Sequence, residues 1–411
     1  MVLDGTIVFL GSEKSFCLFI GHSATSSCVS EIMTGPVIDN DASSRIIDAD
    51  FTTALPKTEL HAHLSGSISR ETLSSIWQTK KSQGDDGALA LGDPAIALKP
   101  SGSFPTILSF FQIFNEYIYN LVNDRESIVN ATNSVAEDFR RDGVRYLELR
   151  TTPREIPTAG ISREDYVKVV LDALEQYRND QANIADGNRI EIQLILSIDR
   201  TMTPSQAHEI VDIASKYMSR SNAPSTAIPP PSVVALDLCG NPTKGDVSTF
   251  TSTFLRAKAF GLKLTVHFAE VPASSTEEEL RTLLSWQPDR LGHAIHIPAH
   301  FKDVIKKQKL GLELCLSCNV LAEMTQGGFK GHHFGEWDAT ECPVALSTDD
   351  VGVFESSLSN EYLIASREFG LGRNEVVQLA KKAVAAAFAG RERMERLIRD
   401  FERVEQIPSS L

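Results

Sequence analysis

Two histidines stand two residues apart in Thr58-Glu59-Leu60-His61-Ala62-His63-Leu64-Ser65-Gly66-Ser67, at the end of a short apolar run. In an extended strand alternate side chains share a face, so His61 and His63 point the same way and can grip one ion. The stretch alone leaves that reading level with two half-buried polar residues on one strand face. The other titratable residues tip it. His61, His63, His267 and Asp349 together are a nitrogen and oxygen set suited to Zn²⁺. A zinc site with one open position lowers the pKa of water there towards about 7. Glu270 lies three residues beyond a ligand and can transfer protons, and His293 can orient or deprotonate the water. Read singly, Glu270 is a solvated loop carboxylate, His293 a core histidine and Asp349-Asp350 a helix-capping pair. Their common placement argues otherwise.

That placement comes from the apolar pattern. A strand ending at His63 is followed by a capped helix from Ser69 to Gln78, a Gly, Asp and Pro-bearing excursion, and an aromatic helix over 104–122 spaced at Ile107, Phe110, Phe111, Phe114 and Ile118. A helix from Arg125 to Arg141 then ends at Asp142-Gly143. Further strands are expected at 144–149, 190–198, 233–238, 262–268, 291–294, 312–316 and 344–347, with helices near 163–178, 205–219, 246–260, 276–286 and 299–308. Nearly continuous apolar strands alternating with helices imply a parallel sheet covered on both faces. Eight such units, with no GxGxxG after any strand, favour an α/β fold of the (β/α)8 TIM barrel type. The candidate residues then fall at strand ends: His61 and His63 on the first, Arg150 to Arg154 after the second, Asp199 after the third, Asp237 to Gly240 on the fourth. His267 and Glu270 follow the fifth, His293 ends the sixth, Asn319 follows the seventh, and Asp349 and Asp350 end the eighth. A closed barrel gathers all of these at one mouth.

A chain of 411 residues with 42% hydrophobic and 23% charged content builds an ordinary globular core. With 54 acidic against 40 basic residues, its formal charge of -14 argues against nucleic-acid or anionic-membrane binding, while one local arginine can still hold a small anion. Six cysteines in this length make no disulfide framework, and no apolar run is long enough to span a bilayer. A cytoplasmic protein is expected. Cys315 and Cys318 form a CxxC with no second pair, inside an apolar run, and read as buried thiols. His332 and His333 fall in a Gly-rich loop between the seventh and eighth strands and not at a strand end, and read as loop residues or else as part of a lid. Residues 1–50, rich in Ser, Thr and Gly and lacking the continuous apolar core of a secretory signal, are expected to be a poorly ordered extension before a single domain over 51–411.

The motifs carry a specific resemblance. Leu-His-Ala-His-Leu-Ser-Gly-Ser (60–67), Tyr-Leu-Glu-Leu-Arg-Thr-Thr-Pro-Arg (146–154), Leu-Asp-Leu-Cys-Gly-Asn-Pro (236–242), His-Phe-Ala-Glu (267–270), Arg-Leu-Gly-His (290–293), Leu-Glu-Leu-Cys-Leu-Ser-Cys-Asn (312–319) and Ser-Thr-Asp-Asp (347–350) resemble, in order, the adenosine and AMP deaminase family over roughly residues 51–400. The Thr-Pro-Arg and Leu-Cys-Gly-Asn-Pro forms, with His332-His333-Phe334, are most similar to the adenosine deaminase-like branch, a resemblance that implies an N6-methyl-AMP deaminase rather than the nucleoside enzyme. The resemblance implies one zinc held by His61, His63, His267 and Asp349, with Glu270 as proton donor to the purine and His293 helping to activate water. It implies substrate contacts from His63, Ser65, Thr151, Thr152, Pro153, Arg154, Asp199, Gly240 and Asp350. Arg154 is the expected phosphate ligand, because a guanidinium offers a bidentate fork. Two departures stand out: Ala294 follows Gly-His where the family usually has Gly, and Ser65 stands where the branch often has Asn.

The expected activity is zinc-dependent deamination of an N6-substituted AMP by a monomer with a small purine nucleotide as its partner. A plain adenosine deaminase would lack the anion site. A non-catalytic zinc-binding barrel would show a broken constellation, whereas every catalytic position is filled. A two-metal hydrolase would need a bridging lysine or a second ligand set, and no strand end carries either.

Overall fold

The structure is a computed structural model that describes residues 47–98, 112–218 and 228–407. Eight parallel strands follow one another in chain order: β1 (Lys57–His63), β2 (Val144–Thr151), β3 (Glu191–Asp199), β4 (Val233–Cys239), β5 (Lys263–Phe268), β6 (Arg290–His293), β7 (Gly311–Leu314) and β8 (Val344–Leu346). Parallel strands in sequence order, each reached through a crossover helix, curl into a barrel because every strand twists the same way. The last seam closes just past β8. Asp349 N-H donates to the His61 carbonyl at 2.7 Å, and His63 N-H donates to the Asp349 carbonyl at 2.9 Å. Backbone pairing thus fixes the eighth-strand carboxylate between the two first-strand histidines.

The helices begin where side chains can satisfy their free N-H groups. Asp124 caps Arg125–Arg141 and Ser162 caps Arg163–Asp180, each in a reciprocal capping box, and Thr203 does the same for Pro204–Tyr217 with proline in the first turn. Ser69 caps Arg70–Ser82. Their apolar faces cover the strands, whose residues are buried almost throughout.

One expectation needs correction. The apolar run after β7 turns helical early: β7 stops at Leu314 and a helix spans Leu316–Leu321. A short apolar run reads the same in either conformation, so periodicity could not place that boundary. The aromatic stretch is described only from residue 112, where Phe114–Ile118 forms a π-helical turn continued by Tyr119–Leu121; Ile107, Phe110 and Phe111 lie outside the described residues. Residues 1–46 and most of the Ser/Pro-rich 219–231 loop also lie outside them. Among the described residues, no helix is long and apolar enough to cross a membrane.

Candidate active site

The C-terminal ends of the strands surround a cavity of about 430 Å³ whose lining includes His63, His267, Glu270, Asp349 and Asp350. One ligand atom from each of His61, His63, His267 and Asp349 lies within 4.8 Å of the others. Nε2 of His61 and Nε2 of His63 are each 3.3 Å from Asp349 Oδ1, and Nε2 of His63 and of His267 are 3.3 Å apart.

The far side of two of these rings shows why the Nε2 atoms face inward as lone pairs. His267 Nδ1-H donates to the Leu238 carbonyl at 2.8 Å, with Asp237 Oδ1 at 3.1 Å. His61 Nδ1-H donates to Glu313 Oε2 at 2.6 Å, and its buried Nε2 has no hydrogen-bond partner among the described residues. Orienting a histidine ligand through its other nitrogen fixes both tautomer and aim. The donor set therefore fits a divalent metal such as zinc: converging imidazole lone pairs and one carboxylate, with a buried nitrogen that protein leaves unsatisfied.

Beneath the histidines the barrel interior is ionic. Glu313 accepts from His61, from Arg150 Nη2 at 2.8 Å, from Arg290 Nε at 2.6 Å and from Thr265 Oγ1 at 2.7 Å. Asp237 meets Arg150 Nη1 at 3.3 Å, and Glu148 meets Arg290 Nη1 at 2.6 Å. Burial alone would raise the Glu313 carboxyl, but Arg150 and Arg290 overcome it and hold the group well below the usual range. Asp237 is likewise held low against burial by Arg150 and His267. Three carboxylates face two guanidiniums in this layer, and the excess negative charge favours a cation just above it. Asp237 ended an expected strand and Arg150 opened an expected strand-end segment, but nothing in the sequence assigned either this supporting role. Glu313 sat unremarked between two leucines, where only a charge inside an apolar strand could have flagged it.

The proton-handling groups sit on the wall. Burial pushes the Glu270 carboxyl up to about 7, its Oε2 has no hydrogen-bond partner among the described residues, and its Oε1 is 3.8 Å from His293 Nε2. His293 Nε2 is also 3.8 Å from Asp349 Oδ2, and burial holds the ring well below its usual pKa, hence neutral. Asp350 is raised well above the carboxylate range by burial and by the Asp349 charge beside it. Its approach depends on Gly66, because a Cβ there would overlap Asp350 Oδ1.

His332 and His333 lie in the loop before the helix Phe334–Asp338, as expected, and both bond to the site. His332 Nε2 bonds Asn319 Oδ1 at 3.0 Å, Asn319 Nδ2 bonds His293 Nδ1 at 2.9 Å, and His333 Nε2-H donates to the His293 carbonyl at 2.7 Å. The early helix after β7 is what carries Asn319 under His293. Cys315 and Cys318 are buried as expected, with Cys318 Sγ-H donating to Asp349 Oδ2 at 2.8 Å.

Of the expected substrate contacts, His63, Thr152, Asp199, Gly240 and Asp350 line the cavity, and Ser65, Thr151, Pro153 and Arg154 do not. The Thr151 hydroxyl is turned into the fold against the Tyr166 hydroxyl at 2.9 Å, and Pro153 is buried. Arg154 donates to the Val122 carbonyl at 2.7 Å and lies 4.2 Å from the centroid of the Tyr119 ring. It therefore braces Tyr119, which lines the cavity in its place.

The sequence profile of the adenosine deaminase family matches residues 56–404. An N6-methyl-AMP deaminase of Xenopus laevis is 36% identical over 341 residues, 82% of this chain and 91% of the relative, and an N6-mAMP deaminase of Arabidopsis thaliana is 32% identical over 355 residues, 83% and 94%. The crystal structure of an Arabidopsis ADAL complexed with IMP superposes with a TM-score of 0.74 at 31% identity, covering 87% of this chain and 99% of that one. With these matches spanning the whole barrel and its mouth, the chain belongs to the adenosine deaminase family.

Proposed function

We propose that the chain is a zinc-dependent hydrolytic deaminase of N6-methyl-AMP and related N6-substituted purine nucleotides, yielding IMP and methylamine. The observation that carries the reading is the convergence of three imidazoles and Asp349 at the floor of a cavity that also holds a protonatable Glu270. Relatives at 32–36% identity that are described as N6-methyl-AMP deaminases support the choice of substrate.

His61, His63, His267 and Asp349 would hold the zinc, which supplies Lewis acidity that makes water a nucleophile near neutral pH. Glu270 donates a proton to the purine ring nitrogen next to C6 as oxygen adds at C6, and the water repays it. Of the two hydrogens of water, one ends on that ring nitrogen and one on the departing methylamine. The Nε2 of His293 faces the nucleophile and holds it in line. Asp350, kept protonated by burial and its neighbour, donates to the purine, and Gly240 lets the base approach the β4 backbone.

Ultraviolet absorbance of the metal-assayed protein with N6-methyl-AMP, AMP and adenosine tests this. Conversion of the methylated nucleotide to IMP, lost in Glu270→Gln and after chelation, is the expected result. Turnover of adenosine alone would make the chain a nucleoside enzyme, and no turnover with zinc bound would leave a non-catalytic metal-binding barrel.

A further inference from the structure

A nucleotide substrate brings a phosphate to a cavity whose wall is rich in carboxylates, in a chain of net charge -14. Some local cation must offset that field. Arg154, the phosphate ligand expected from the sequence, is engaged elsewhere, with Val122 and the Tyr119 ring. Arg200 is buried and paired with Glu279 at 2.6 Å. Lys244 differs from both. It is the one lysine or arginine among the described residues lining the cavity, it is exposed, and its ammonium makes no ion pair or side-chain hydrogen bond among the described residues.

Its position is built rather than incidental. Asn241 Oδ1 accepts from the Thr243 amide at 3.0 Å and the Thr243 hydroxyl at 2.8 Å, and Lys244 N-H donates to the Asn241 carbonyl at 3.0 Å. Gly245 follows with φ +71° and packs so closely on the Arg200 carbonyl that a Cβ would overlap it. This turn leaves β4 through Gly240, which packs on Asp199, and sets exposed Lys244 on the cavity wall.

We propose that Lys244 is the counter-charge for the 5′-phosphate and sets the preference for nucleotides over nucleosides in this chain. The proposal rests on the deaminase reading above and adds the residue that discriminates. Phosphate on Lys244 leaves Arg154 free to brace Tyr119.

The test compares kcat/KM for N6-methyl-AMP and N6-methyladenosine in wild type, Lys244→Met and Lys244→Arg. A charge-assisted contact predicts that the nucleotide-to-nucleoside ratio drops about tenfold in Lys244→Met, through KM, and is largely kept in Lys244→Arg. The contact is exposed, so the wild-type ratio should also fall with added salt. An unchanged ratio in Lys244→Met overturns the proposal while wild-type turnover leaves the deaminase reading standing. If the wild type turns over neither compound, that reading fails, and calorimetry with IMP decides separately: about tenfold weaker binding by Lys244→Met supports the anion site, and equal binding removes it.

Discussion

Asn319 donates to Nδ1 of His293 at 2.9 Å, and the direction of that bond is fixed from outside the site. The backbone N-H of Phe334 can only donate, and it meets His332 Nδ1 at 3.0 Å. His332 must then carry its proton on Nε2 and give it to Asn319 Oδ1, which turns the Asn319 amide nitrogen towards His293. Neutral His293 accepts on Nδ1 and so presents Nε2-H to the cavity. In the mechanism proposed above, that tautomer would have His293 orient the attacking oxygen as a donor rather than take its proton. Asn319→Asp would replace a donor by an acceptor and reverse the tautomer. The expected outcome is a fall in kcat of about 100-fold or more with IMP affinity little changed. A kcat within a few fold of wild type would show that the tautomer is not set this way.

Glu313 would act on a bound metal through His61, whose Nδ1-H it accepts at 2.6 Å. Removing its charge with Glu313→Gln weakens the 2.6 Å bond to His61 Nδ1 and leaves Arg150 and Arg290 short of a partner. Metal affinity should fall about 10- to 100-fold, measured by chelator competition, and stability should fall by about 3 kcal/mol in urea. Unchanged affinity with lowered stability would reduce Glu313 to a structural role.

Strand ends and the convergence of His61, His63, His267 and Asp349 were legible because both rest on local rules: continuous apolar runs for the strands and residue chemistry for the candidate metal set. What lay beyond reach depends on long-range contact. Nothing near Arg154 in the sequence announces that Tyr119 and Val122 will claim its guanidinium, and nothing near His332 announces that it will meet Asn319 13 residues earlier. Ala294 is an intermediate case. The sequence marked it as a departure from glycine, and the structure gives the reason glycine suits that position: φ is +61°, in the left-handed region.

Gly66 tests whether Asp350 binds the base. Gly66→Ala puts a methyl where Asp350 Oδ1 lies, so the carboxyl must rotate away. Overpacking of this kind costs about 1–3 kcal/mol of stability. If Asp350 contacts the purine, KM should rise about tenfold as well. A stable variant with unchanged KM would remove Asp350 from the substrate contacts.

The pH dependence follows from Glu270, whose carboxyl burial raises from the ordinary 4.5 to about 7. A proton donor works only in its acid form. kcat/KM should therefore be level below about pH 7 and fall about tenfold per unit above it, and Glu270→Gln should lose about 100-fold or more at every pH. The same shift makes a stability statement. Between pH 4.5 and 7 the folded chain holds a proton that the unfolded chain has released, so this group's contribution to stability declines as pH rises through that window and stays lost above it. Glutamine carries no charge to bury. In metal-stripped protein, where no cation offsets the carboxylate, Glu270→Gln should match the wild-type Tm near pH 4.5 and exceed it by pH 8. A variant no more stable than wild type at pH 8 would show that burial does not set the Glu270 pKa.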